Sequence, residues 1–284
     1  MKFFSSICFA ALIGSAAVAI TAADAAAPAA AFTQTADEAA LPKGQWTPIF
    51  NGKDLTGWTP KIRGYPLGEN HLDTFLVVDG KLVVSYDKYD KFSEKFGHIF
   101  YKGSYGHYRL RAEYRFVGKQ VNEGPGWAIR NNGFMILGQT PESMTLDQAF
   151  PVSIESQLLG TAKAGENRPT LAICTPGTNC SHKGKFTEDH VIGPDVGVSF
   201  PEGQWVNIEI EVNGSKSVKH FIDGKLVHEI NDIQIDPKYG CGGGAEKYID
   251  DQIKTKGKMI EAGSISIQGE SAPIEFRKIE IMPL

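Results

Sequence analysis

The sequence lacks the features that mark several function classes. It has four cysteines in 284 residues, and no two of them show the Cys-x-x-Cys spacing, with matching histidines, that zinc sites use. Its 29 basic and 33 acidic residues leave a formal charge of −4, and the lysines and arginines are scattered. Neither nucleic acid nor an anionic membrane is an implied partner. Helical periodicity is confined to Tyr248 to Lys254, and no second linker or internal repeat divides the chain. After the first twenty residues, no apolar run has the length of a membrane span.

Those first residues form a pattern of their own. Lys2 supplies a positive start, Phe3 to Ile20 a mostly apolar stretch, and Ala23-Asp24-Ala25 a small-residue cleavage site, the three parts of a secretory signal. The stretch is short, contains Ser5, Ser6 and Ser15, and lacks a stop-transfer charge, which weighs against a transmembrane anchor. Cys8 lies at the start of the apolar run rather than after it, where a lipoprotein cysteine sits. The sequence therefore predicts a signal peptide over 1–25 and export to the periplasm or the extracellular space. Residues 26–41, rich in Ala, Pro and Thr, are expected to form a disordered tether. Residues 42–284 read as one domain.

Three cysteines remain after such a cleavage. Cys174 and Cys180 bracket the turn-rich Thr175-Pro176-Gly177-Thr178-Asn179, and in an oxidising compartment a local disulfide between them is expected. Cys241 is then the odd one, in a glycine-rich loop over Gly240 to Gly244.

A period of two dominates the domain. In Tyr108 to Phe116, the apolar Tyr108, Leu110, Ala112, Tyr114 and Phe116 alternate with Arg109, Arg111, Glu113 and Arg115, the pattern of a half-buried antiparallel strand. Trp205 to Val212 repeats it, with Val206, Ile208, Ile210 and Val212 on one face. Asp79-Gly80, Asn213-Gly214 and Asp223-Gly224 fall between apolar runs, as hairpin turns do. Gly263 to Ile281 offers two more strands around Glu270 to Pro273. Many short strands with little helix predict an all-β sandwich or jelly roll.

Three places carry candidate chemistry. In Val152 to Leu158, alternation puts Ser153, Glu155 and Gln157 on one face. A carboxylate beside an amide suits a sugar, although a solvated strand face has the same pattern. Trp127-Ala128-Ile129-Arg130-Asn131-Asn132-Gly133 brings an aromatic plane, a cation and two amides together. That mixture matches a pyranose, while a Trp after Pro125 and Gly126 also serves as a core plug. Glu270 follows Gln268 and Gly269 at the end of a strand, where an exposed turn carboxylate is usually inert. Of the seven histidines, His98, His107, His182 and His190 fall where loops or strand ends present them, and none has the local spacing of a metal pair. His107 and His182 are read as structural hydrogen-bonding groups.

The segment Ile49-Phe50-Asn51-Gly52-Lys53-Asp54-Leu55-Thr56-Gly57-Trp58 and the closing Gly263 to Leu284, with Gln268, Glu270 and Glu275-Phe276-Arg277-Lys278-Ile279, resemble the two end signatures of the 3-keto-disaccharide hydrolase family, formerly a domain of unknown function. Between them, Tyr108 to Phe116, Trp127 to Gly133, Glu155-Ser156-Gln157 and Gly203-Gln204-Trp205 are similar to its internal motifs. The resemblance therefore covers nearly everything after Pro42. Two departures stand out. Asn131-Asn132-Gly133 replaces the commoner Asn-Ser-Gly, and Val191 stands where some relatives carry a cysteine after the histidine.

The resemblance implies a concanavalin A-like sandwich of two antiparallel sheets and cleavage of glycosides oxidised at C3. In that chemistry a base takes the acidified C2 proton, the C1–O bond breaks by β-elimination with acid assistance, and water adds to the 2-hydroxy-3-keto-glucal. The implied catalytic residues are Glu155 and Glu270, as base and acid in either order, with His190 as a reserve acid. Arg130, Gln157 and Asn131 are the expected polar contacts to substrate, and Trp127 the stacking wall. No cofactor is required by the sequence. A divalent cation is the alternative to Arg130 as enolate stabiliser, and no ligand set in the sequence decides between them. Two other readings compete: a lectin-like module that binds without turnover, and a retaining glycosidase, for which the chain lacks a Glu-x-Asp-x-x-Glu strand.

Overall fold

The computed structural model describes residues 41–187, 189–236 and 257–284. The signal segment, all of the tether but Leu41, Cys241 and the helical pattern of Tyr248 to Lys254 lie outside the described residues. Within them the chain is an all-β sandwich of two antiparallel sheets.

The larger sheet runs in spatial order β11 (Lys185–Phe186), β10 (Thr178–His182), β15 (Lys225–Ile235), β14 (Ser217–Ile222), β13 (Val206–Asn213), β6 (His107–Phe116), β17 (Ile274–Pro283), β4 (Lys81–Val84) and β3 (Phe75–Val78). The short β1 (Thr47–Pro48) pairs with β17. The smaller sheet runs β12 (Val191–Ile192), β9 (Ile173–Cys174), β8 (Ile154–Leu159), β7 (Asn131–Gly138), β16 (Gly263–Gly269), β5 (Gly97–Tyr105) and β2 (Trp58–Ile62).

The alternation in the sequence becomes the two faces of the larger sheet. Along β6, Tyr108, Leu110, Ala112, Tyr114 and Phe116 are buried, and across the pair Ile208 and Ile210 of β13 stand opposite Ala112 and Leu110. Each fully buried aliphatic side chain there stabilises the fold by about 1.5–3 kcal/mol. The solvent face carries ion pairs between strands: Arg111 with Glu280 at 2.6 Å and Arg115 with Glu275 at 2.6 Å. Asp79-Gly80 and Asp223-Gly224 take positive φ at both residues, the backbone of a tight hairpin whose twist matches its strands. The turn at Asn213 differs. Only Gly214 is left-handed there, and the connection runs on to Lys216 before β14 begins.

The sheets meet through apolar side chains and several polar links, two of which involve β8 and β6. Ser156 Oγ of β8 lies 2.7 Å from His220 Nε2 of β14, and Tyr114 OH lies 2.8 Å from Thr170 Oγ1. Because Ser156 points at the larger sheet, its neighbours Glu155 and Gln157 must point away from it. That alternation creates the functional face.

Candidate active site

The outer face of the smaller sheet is a grid whose rows follow from strand register. One row sets Ser266 opposite Met135, Met135 opposite Glu155, and Glu155 opposite Cys174. The next sets Lys61, His98 and Gln268 side by side, and Gly133 opposite Gln157. Glu270, just beyond the end of β16, shares the face of Gln268. Loops raise walls around the grid and enclose a cavity of about 460 Å³ lined by Glu155, Gln157, Glu270, Asn131, Arg168 and Cys174, with Trp127, His190 and apolar side chains at its sides.

The two carboxyl groups define its chemistry. Glu155 is 5 % exposed and Glu270 2 %. Gln268 Nε2 donates to Glu270 Oε1 at 2.6 Å, while Glu270 Oε2 and Glu155 Oε1 meet no partner among the described residues. Burial pushes the Glu155 carboxyl up to about 8, opposed by a hydrogen bond from the Cys174 thiol. Burial also raises Glu270, the charge of Glu155 raises it further, and the Arg168 guanidinium opposes both. Two neighbouring carboxyls that disfavour each other's ionisation lose their protons in separate steps, and between those steps one is a base and the other an acid.

Glu270 was expected at an exposed turn and is instead enclosed. The turn after it is tied down from three directions: Ser271 N donates to Tyr86 OH at 2.8 Å, Val121 N to Ser271 O at 3.0 Å, and Gln120 Nε2 to Ser271 Oγ at 2.7 Å. These covering segments lie far from Glu270 in the chain.

The Trp127 to Gly133 segment divides its tasks. Trp127 lies in a 3₁₀ turn, Gly126–Ala128, rather than on the strand. It is 54 % exposed and stacks within 3° of parallel on Phe96, with ring centroids 6.0 Å apart. It is a rim aromatic, not a core plug. Asn131 faces the cavity, whereas Asn132 donates its amide to the carbonyl of Gln268. Arg130 departs from expectation. Its left-handed backbone, φ 45°, turns the side chain away from the cavity. There it pairs with the Glu202 carboxylate and the Thr161 carbonyl, beside a separate hollow that includes Lys119 and Pro273.

Among the described residues, the cation lining the cavity is Arg168. Its guanidinium donates to the carbonyls of Trp127 at 2.9 Å, Gly160 at 3.0 Å, and Ile129. These bonds hold it without consuming its charge on a carboxylate. Nothing in the sequence pattern singles it out, since it lies in a polar loop with no strand period.

The expected disulfide is absent, and this corrects the reading of Cys174 and Cys180. Both are buried free thiols. Cys174 lies in β9 of the smaller sheet and Cys180 in β10 of the larger one, so the turn between them carries the chain from one sheet to the other. Cys174 faces Glu155 in the cavity, and burial beside that carboxyl keeps it a thiol. Burial pushes the Cys180 thiol up to about 12.

His190 lines the cavity wall, with Nδ1 3.3 Å from Thr175 Oγ1. Burial lowers its pKa, so the imidazole is neutral at pH 7. His98 lies beneath Phe150 with both ring nitrogens unpartnered among the described residues. Burial, with Lys61 adding to it, drops its pKa to about 3. His107 bonds Asn213, with Nδ1 to Oδ1 at 2.9 Å, away from the cavity.

A family model described as the 3-keto-alpha-glucoside-1,2-lyase-like domain matches residues 45–282. The chain belongs to this family. Membership supports a carbohydrate-active function, and the matched span is the sandwich itself. No curated protein matches the chain. Among solved structures, two candidate glycosyl hydrolases from Parabacteroides distasonis are similar to it. One is 19% identical with a TM-score of 0.49, covering 85% of this chain and 100% of its own. The other is 18% identical with a TM-score of 0.47, covering 89% and 99%. A Bacillus subtilis protein with a galectin-like fold is 11% identical at a TM-score of 0.42, covering 84% of this chain and 95% of its own.

Proposed function

We propose that the cavity cleaves glycosides already oxidised at C3, by elimination followed by hydration. The observation that carries this reading is the pair of buried, mutually repelling carboxyls, Glu155 and Glu270, each with an oxygen that no described residue partners.

The 3-ketone acidifies the C2 proton, which Glu155 takes as base. Its ionised form is favoured by the Cys174 thiol, whereas Glu270 holds its proton against the charge of Glu155. The electron pair left at C2 is delocalised onto the C3 oxygen, where Arg168 supplies positive charge. Collapse of the enolate forms the C1–C2 double bond and expels the C1 oxygen, which leaves as an alcohol with the proton of Glu270. Water then adds, hydroxyl to C1 and proton to C2, and both carboxyls return to their first state. Gln157 and Asn131 suit the sugar hydroxyls, Trp127 offers a stacking face at the rim, and His190, neutral at pH 7, suits a hydrogen-bond contact to the sugar rather than the reserve acid that the resemblance implies. The N-terminal signal pattern supports an exported enzyme.

The test is to incubate the chain from Ala26 onward with a 3-keto-glucoside and with its unoxidised parent, with and without chelator, and to follow aglycone release. Release from the keto form alone is expected. Cleavage of the parent at a similar rate would favour a retaining glycosidase, and binding without release a lectin-like module.

A further inference from the structure

A second constellation lies on the other side of the Gln157 strand, apart from the cavity. His182 ends β10, Asp195 lies in the loop after β12, and His228 sits in the middle of β15. These segments are distant in sequence, so no local spacing announces them. The fold brings one donor atom from each within 4.8 Å of the others. We propose that His182, Asp195 and His228 bind a divalent transition-metal ion of the zinc class, which fastens the lip of the cavity to the sheet.

The donor set fits. Two imidazoles and a carboxylate suit zinc and its neighbours rather than calcium or magnesium, which take oxygen ligands. Tetrahedral zinc with bonds of 2.0–2.2 Å spaces its ligand atoms about 3.4 Å apart. His182 Nε2 and Asp195 Oδ1 already stand 3.1 Å apart, and modest side-chain rotation brings in the third donor, leaving a fourth position for water.

The independent observation is the state of His228. It is fully buried, its Nδ1 bonds the Leu171 carbonyl at 3.0 Å, and its Nε2 has no partner among the described residues. A carbonyl on Nδ1 fixes the tautomer that leaves a lone pair on Nε2, which is how ligating histidines are usually held. Without metal, Asp195 lies in hydrogen-bond reach of His182 and pairs with Lys183, whose Nζ is 2.7 Å from Oδ1. The Lys183 side chain is 70 % exposed, and an ion pair of that kind is weak enough to yield to a metal.

The placement gives the ion a task. Asp195 follows closely on His190 and Val191, which line the cavity. His228 bonds Leu171, whose N–H donates to Gln157 O at 2.7 Å. Metal across Asp195 and His228 would therefore tie the His190 lip to the strand that carries Glu155 and Gln157.

The test needs no substrate, so it stands or falls apart from the glycoside reading. The chain from Ala26 onward, stripped with chelator, is titrated with Co(II) and then Zn(II), following visible absorption, bound metal per chain and Tm. Expected are one equivalent bound, cobalt bands of a four-coordinate site that zinc abolishes, and a higher Tm with zinc. Asp195→Asn, in an exposed loop, should keep the fold and weaken binding at least tenfold, and His228→Gln should do the same where it folds. Absence of binding below about millimolar metal, or unchanged affinity in Asp195→Asn, overturns the proposal.

Discussion

The Glu155 carboxyl occupies the space that a side chain at position 133 would fill. A Cβ on Gly133 would stand 2.7 Å from both Cγ and Oε1 of Glu155, closer than such atoms approach. Glycine at 133, directly across from Gln157 in β7 and β8, is therefore what lets the carboxyl lie along the cavity floor. Gly133→Ala should displace it. A shift of about 1 Å at a reacting group costs roughly 100-fold in rate, so kcat/KM on a 3-keto-glucoside should fall by about that factor while circular dichroism shows a folded sheet. Activity within twofold of the parent would refute this placement.

The same carboxyl should oppose stability as pH rises. Its pKa in the folded protein is raised to about 8 from the ordinary 4.5, so the folded state binds its proton more tightly than the unfolded chain. Its contribution to stability is fully present below about pH 4.5 and is lost as pH climbs toward 8. Glu155→Gln removes the penalty of a buried charge. Its Tm relative to wild type should therefore rise between pH 4.5 and pH 8.5, as thermal melts across that range would show; a constant difference would contradict the raised pKa.

Arg168 and Arg130 should separate cleanly. Arg168 faces the two carboxyls, whereas Arg130 is spent on Glu202 and Thr161. Arg168→Ala should lower kcat/KM by roughly 100-fold or more, as loss of a charge stabiliser does. Arg130→Ala should change turnover by less than threefold and stability by about 1 kcal/mol or less. The reverse ranking would return the enolate contact to Arg130.

Cys174 and Cys180 should both be alkylated when the unreduced protein is denatured in iodoacetamide. Peptide mass spectrometry would show this directly, and a peptide linking the two would contradict the free thiols found here.

These cases show which signals the sequence carries. The period-two rule placed Glu155 and Gln157 on one face because strand alternation is local, and the hairpins at Asp79-Gly80 and Asp223-Gly224 follow from two adjacent residues. It was silent on whether that face would be solvated, because the cavity walls come from the Trp127, Arg168 and His190 segments. Glu270 looked like an exposed turn residue because Tyr86, Gln120 and Val121, which cover its turn, are remote in the chain. Arg130 was expected at the substrate because it follows Trp127 closely, a proximity in sequence that cannot reveal a left-handed backbone, and Arg168 was not singled out at all. The disulfide failed for a related reason: a six-residue spacing does not disclose that the chain changes sheets between its ends.

In the proposed reaction Glu155 and Glu270 exchange protons at C2 and at the leaving oxygen. This is tested most directly by following cleavage of a 3-keto-glucoside in D₂O with wild type, Glu155→Gln and Glu270→Gln. Deuterium is predicted at C2 of the sugar released by wild type, and turnover should be reduced at least about 100-fold in both variants. Cleavage that leaves the C2 hydrogen in place, or wild-type turnover in both variants, would contradict the proton exchange.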